Sequence, residues 1–142
     1  MAAQLFQLVN LIAFIGWFML IGFPAWKNTP KGILNGVVMC LCLFYLCLIG
    51  VWVSHGAKGG FDSLVNVRAI FADDLALVAG WVHYLAFDLF VGLWITQNAQ
   101  RSGIARWILI PLQILTFMLG PLGLFSYMII RRSLKGELVS SL

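Results

Sequence analysis

Charged side chains make up only 10% of this 142-residue sequence, against about 25% in soluble globular domains. So few charges cannot provide a solvated surface for a chain that is 62% apolar, with a mean hydropathy of +0.98. Among the charged residues the acidic ones are the scarcer, five against nine basic ones. The basic residues are spread over the connections and the C-terminal end, so they read as membrane-edge anchors and no nucleic-acid partner is expected. Histidine occurs only twice. His55 closes one hydrophobic run and His83 lies inside another, depths too unlike for a haem held between two histidines, although His83 alone remains open as an axial ligand. The three cysteines, Cys40, Cys42 and Cys47, share one hydrophobic run, where neither a disulfide framework nor a CxxC pair can be drawn. Packing is their expected role, and no metal site is expected. The first run also lacks the basic flank and small-residue cleavage pattern of a secretory signal, so it is read as a retained span, with no transit peptide before it.

Long uncharged runs are what the sequence does have. They cover residues 1–26, 32–57 and 107–130, and a fourth over 75–100 is broken only by Asp88. Each exceeds the ~20 apolar residues that a membrane-crossing helix needs. The expected fold is all-α: an integral membrane bundle of four transmembrane helices, near Leu5–Phe23, Gly32–Val53, Leu75–Thr96 and Trp107–Ile130. A short interfacial helix is expected between spans two and three, and residues 1–142 form a single membrane domain. No length remains for a soluble catalytic or nucleotide-binding domain. Four spans put both termini on one side. Lys58, Arg68, Arg131, Arg132 and Lys135 there, against Lys27, Lys31, Arg101 and Arg106 opposite, marginally favour the cytoplasm, with the bacterial inner membrane as the expected location. In the last run, Gly120-Pro121-Leu122-Gly123 predicts a kink, because proline removes a backbone donor and frees the carbonyl four residues earlier.

Asp88 falls near the middle of the third run. A carboxyl at bilayer centre costs about 2.5–3.5 kcal/mol on insertion scales, so it is expected to face the bundle interior, mostly protonated, and to be paired or functional. At 100° per residue, Tyr84, Trp81 and Asp74 share its face, forming a polar stripe down an apolar helix. His83 lies about 140° away and meets Asp88 only if the bundle wraps both into one cavity. A histidine and a carboxylic acid in such a cavity would supply general acid and base; a satisfied core histidine is the plainer alternative. Asp73 and Asp74 begin the third run, where capping of a helix N-terminus explains at least one of them. The functional alternative is that one pairs with Arg68, which falls on the apolar side of the interfacial helix, and so closes a cavity. Trp81, Phe87 and Trp94 are candidate linings of an apolar ligand site.

The segment Gly80-Trp81-Val82-His83-Tyr84-Leu85-Ala86-Phe87-Asp88-Leu89-Phe90-Val91-Gly92, with Arg68 and Asp73-Asp74 before it and Gly120-Pro121-Leu122-Gly123-Leu124 after it, resembles the abscisic-acid-deficient-four-like family of small membrane proteins. The resemblance covers about the second half of the chain. It implies carotenoid chemistry, since plant members are required for making neoxanthin from violaxanthin, in which a 5,6-epoxide opens to an allenic alcohol. This chain carries no plastid-targeting extension, which leaves the substrate open. Such an isomerisation needs an acid at the ring oxygen and a base at the polyene, and no redox cofactor. Asp88 is the expected acid, with His83, Asp74 or Asp73 as base and Tyr84, Trp81, Arg68, Phe87 and Trp94 as substrate-binding residues. The expected partner is a carotenoid or other apolar lipid within the bilayer, with a homo-oligomer or a larger membrane complex also open. A non-catalytic pigment-binding or assembly subunit and a small proton or ion pathway are the competing readings.

Overall fold

A backbone in hydrocarbon must satisfy its own hydrogen bonds, which makes uninterrupted apolar runs helical. The structure, a computed structural model, describes residues 1–136. Helix α1 covers Ala2–Gly22 and stops before Pro24. The Thr29 hydroxyl donates to the Phe23 carbonyl at 2.7 Å and ties the following turn. Helix α2 runs through Thr29–Ser54, with a π-helical segment at Gly32–Val38. Short α3, Leu64–Phe71, is capped by Ser63, whose hydroxyl accepts from the Asn66 N–H. Helix α4 spans Asp74–Arg101, α5 spans Arg106–Met118 and α6 spans Gly120–Lys135. No strand occurs among the described residues. Three helices, α1, α2 and α4, are long and apolar enough to cross a membrane.

The other helices are arranged around α4. Half of its apolar stretch is buried, against 28% for α1 and 11% for α2. Val9 and Ala13 of α1 and Leu41 and Leu48 of α2 meet Val78, Ala79, Val82, Leu85 and Ala86 of α4 in one cluster. Nearer the other end, Trp17, Leu20 and Ile33 pack on Leu89 and Leu93. Association in lipid rests on close packing, because apolar burial gains little there, and small residues are favoured at such contacts. Gly92 illustrates this: a Cβ built on it would come within 2.5 Å of the Trp17 ring.

The expected fourth span, Trp107–Ile130, is not one helix. Leu119 (φ −145°, ψ 69°) breaks the run between α5 and α6, and the chain reverses. In a straight helix Gly123 would lie about 10 Å beyond Thr116, yet a Cβ on Gly123 would come within 2.5 Å of the Thr116 Cα. The pairings with α4 run in the same sense. Descending α5 places Gln113 so that its amide donates to the Thr96 hydroxyl at 2.8 Å, and Met118 beside Tyr84. Returning α6 places the Tyr127 hydroxyl on Asn98 Oδ1 at 2.6 Å and Arg131 Nε on the Ser102 hydroxyl at 3.2 Å. The segment is therefore a helical hairpin that reaches the middle of α4 and returns. Pro121 starts α6 in its first turn, where the missing N–H removes no helical bond. The kink expected at this proline is a full reversal because Gly123 admits the backbone of α5.

Both termini are expected on one side, but with the reversal the two ends of the described chain lie at opposite ends of α4. Ala2 and Ala3 line a cavity with Asp74, at one end of α4, whereas Arg131 sits on Ser102 at the other. Lys27, Lys31, Arg101, Arg106, Arg131 and Arg132 thus gather at one end, and Lys58 and Arg68, with Asp62, Asp73 and Asp74, at the other. Single cysteines placed at Ala3 and Ser133, in a background without Cys40, Cys42 and Cys47, are expected to react with impermeant reagent from opposite faces of sealed vesicles; labelling from one face would refute the hairpin. Gly123→Val is expected to destabilise by about 1–3 kcal/mol through overpacking, read as a lowered unfolding temperature in detergent. Gly50→Ala, with nothing within 4 Å of the added carbon, is expected to be tolerated.

Candidate functional site

The polar stripe expected on α4 exists, and its members occupy different environments. Asp88, midway along α4, is buried at 8% exposure. Its carboxyl lies against Gly120 at the start of α6, where a Cβ would overlap the Oδ1 atom. Oδ2 is fully enclosed without a hydrogen-bond partner. Buried polar atoms are nearly always paired, so an orphaned carboxyl oxygen calls for an explanation. Tyr84, one turn away, donates its hydroxyl to the Met118 carbonyl at 3.0 Å. That carbonyl is free because the Leu122 N–H, its partner in a continuous helix, bonds to Leu119 instead.

Beyond the hairpin tip the same face of α4 is left uncovered. Trp81 stacks on Tyr84, ring centroids 5.2 Å apart, and donates its indole N–H to Asn10 Oδ1 on α1 at 3.1 Å. Phe6 packs on the other side of Trp81 at 5.6 Å. A cavity of about 270 Å³ continues past them to Asp74, between α1 and α4. Together these residues form a lateral groove that is open near Asp74 and closed by the Trp81 ring; Tyr84, Asp88 and the hairpin break lie behind that ring. Asp74 and Asp88 are 14 residues apart on one helix, about 21 Å, so they cannot act on the same atom.

His83 is not part of this groove. It is exposed, stacked on exposed Phe87 at 4.5 Å and tilted against Tyr45 of α2 at 5.8 Å. It faces a separate apolar cavity of about 390 Å³ between α2, α3 and α4, with Phe71, Ile70 and Trp52. The bundle does not wrap His83 and Asp88 into one cavity, because α2 covers the His83 side while α5 and α6 cover the Asp88 side. Trp94 also lies elsewhere, edge-on to Tyr127 at 5.9 Å. Of the three aromatic residues expected near Asp88, only Trp81 reaches it, through Tyr84.

Capping accounts for Asp73, whose Oδ1 accepts from the N–H groups of Leu75 at 2.9 Å and Ala76 at 3.0 Å. Asp74 is exposed at the groove mouth. The expected pairing of Arg68 with either is absent: Arg68 is exposed and its side chain has no partner among the described residues. The physical reason is the seating of α3. Ile70 is the residue it buries, while Phe61, Leu64 and Val65 point outward at 87%, 74% and 74% exposure, so Arg68 is not forced inward and needs no counter-ion. Sequence reasoning did not assign Gly120, the Met118 carbonyl, Asn10 or Phe6 to the site. The available signals were the proline-freed backbone and the isolated Asn10 in an apolar run.

The family model described as ABA DEFICIENT 4-like matches residues 4–127, a stretch that includes α1 to α5 and the first half of α6, with Asp88, Tyr84 and Gly120. Neither a curated protein nor a solved structure matches the chain. A match over most of the chain, taking in the groove and the hairpin break, shows that the protein belongs to the ABA DEFICIENT 4-like family.

Proposed function

We propose that the protein is a single membrane domain of three spanning helices and one re-entrant hairpin that binds a carotenoid-like lipid in the groove between α1 and α4. Within it, Asp88 catalyses an acid/base isomerisation of the xanthophyll-epoxide type. The enclosed, unpartnered Asp88 Oδ2, behind the Trp81 and Tyr84 rings that close an apolar groove, is the observation that carries this reading. Family membership is consistent with it. Helix α3, with its apolar residues turned outward, fits a position at the membrane surface. The basic end fits the cytoplasmic side, which in a bacterial inner membrane puts the N-terminus outside.

With the Trp81 ring displaced by a ligand that enters the groove, Asp88 is the one carboxyl that the ligand's end group meets. Asp88 donates its proton to the epoxide oxygen while the bond from that oxygen to the ring carbon nearest the chain breaks. The carboxylate so formed removes a proton from the adjacent chain carbon, and a cumulated double bond forms. Oxygen gains one hydrogen, carbon loses one, and the carboxyl is restored, so no other co-reactant is needed. Tyr84 holds the substrate oxygen, and Trp81 and Phe6 line the groove for the polyene.

Detergent-purified protein is expected to carry a polyene absorption spectrum and to release a carotenoid on extraction. In a reconstituted assay, Asp88→Asn is expected to keep the fold and the bound lipid while turnover falls by roughly 10²- to 10⁴-fold, the range for a general acid–base group. Full turnover in Asp88→Asn would leave binding without catalysis as the function. Because Asp88 acts in both directions, Asp74→Asn is expected to retain turnover, and a loss there as large as at Asp88 would overturn the single-carboxyl scheme.

A further inference from the structure

A third cavity lies on the opposite flank of α4, at the basic end, and differs from the groove in composition. It measures about 410 Å³ and opens between the start of α2 and the last turns of α4. Lys27 and Lys31 stand at its mouth, with Asn35 one turn deeper on α2 and Gln97 facing them from α4. None of these four side chains has a hydrogen-bond or ionic partner among the described residues. Further in, the wall becomes apolar through Trp94, Phe90 and Leu34. Phe90 is 47% and Leu34 42% exposed. From Gln97 to Phe90 is seven residues of helix, about 10 Å of descent toward the middle of the bundle.

Two observations make this more than a basic membrane edge. The α2 wall includes the π-helical segment Gly32–Val38, which supplies Leu34 and Asn35 to the lining; such segments recur at functional sites. Of the other basic groups at this end, Arg101 and Arg132 are exposed and outside the cavity, and two have partners that stabilise the fold. Arg106 donates to the Ile21 and Gly22 carbonyls at 2.9 and 3.2 Å, and Arg131 to Ser102. Lys27 and Lys31 are left to an external anion, and no acidic residue lies at that end among the described residues.

We infer that this cavity is a binding site for one phosphate-bearing anionic lipid. Its phosphate sits between Lys27 and Lys31, its polar headgroup atoms meet Asn35 and Gln97, and its chain lies on Trp94, Phe90 and Leu34. Charge complementarity selects the head and the apolar descent selects the tail, so a free phosphate ion would use only the mouth. The site does not depend on the proposed isomerisation, since it shares no residue with the Asp88 groove.

The test is native mass spectrometry of the full chain in detergent, titrated with phosphatidylglycerol, phosphatidylcholine or inorganic phosphate. Phosphatidylglycerol is expected to bind at least tenfold more tightly than phosphatidylcholine, and K27Q/K31Q is expected to abolish that preference. Gln97→Leu, which leaves both lysines in place, is expected to weaken phosphatidylglycerol several-fold and phosphatidylcholine little. Arg132→Gln, at the same end but outside the cavity, is expected to retain the preference. Equal binding of the two lipids, a preference surviving in K27Q/K31Q, or its loss in Arg132→Gln would overturn the site. Displacement of phosphatidylglycerol by inorganic phosphate at similar concentration would overturn the role of the tail.

Discussion

A reversal of the backbone inside hydrocarbon stands only if the peptide groups it releases find partners. At Leu119 the partners come from α4 and from the turn itself. Tyr84 takes the Met118 carbonyl, and the Leu122 and Gly123 N–H groups close back on Leu119. Gly120 and Gly123 remove the steric obstacles, one against the Asp88 carboxyl and the other against Thr116. The hairpin is then held along its length by Gln113 on Thr96 and Tyr127 on Asn98. Such bonds are modest individually inside a membrane, near 1 kcal/mol, but they fix the depth at which the hairpin stops. That depth decides which part of α4 is covered and where the groove begins.

The same stopping point explains why Asp88 is tolerated. A full fourth span would have buried the stripe from Asp74 to Asp88 and left no access to it. A shorter hairpin would have exposed the carboxyl to lipid. With the tip at Gly120, Asp88 is enclosed while Trp81, one turn beyond Tyr84, is still 37% exposed. The contact between a carboxyl and a glycine at the first turn of α6 is therefore both a packing detail and the wall of the candidate site.

Much of this was legible in the sequence because hydropathy and helical periodicity are local. The uncharged runs yield α1, α2 and α4, and the 100° repeat places Asp74, Trp81, Tyr84 and Asp88 on one face and His83 on another. The hairpin was not legible. A run of apolar residues long enough for one span also accommodates two half-length helices, and what decides between them is the approach of Gly123 to Thr116 and the pairing of α5 and α6 with opposite sides of one level of α4. Pro121 marked the break but not its angle. Arg68 was misread for a related reason: its wheel position named a face, but which face α3 buries depends on how Ile70 seats against its neighbours.

In the proposed arrangement the hairpin enters and leaves by the same face, which has a consequence for biosynthesis. Once α4 is in place, nothing from Arg106 to Lys135 needs to be exported. Helices α5 and α6 can fold against α4 from the side on which they are synthesised, with Arg106 fastening to the end of α1 as the chain leaves the ribosome. In that arrangement the cover over Asp88 is added after α1, α2 and α4 are in place, and a polypeptide released before Gly120 would leave the carboxyl without the backbone that packs on it.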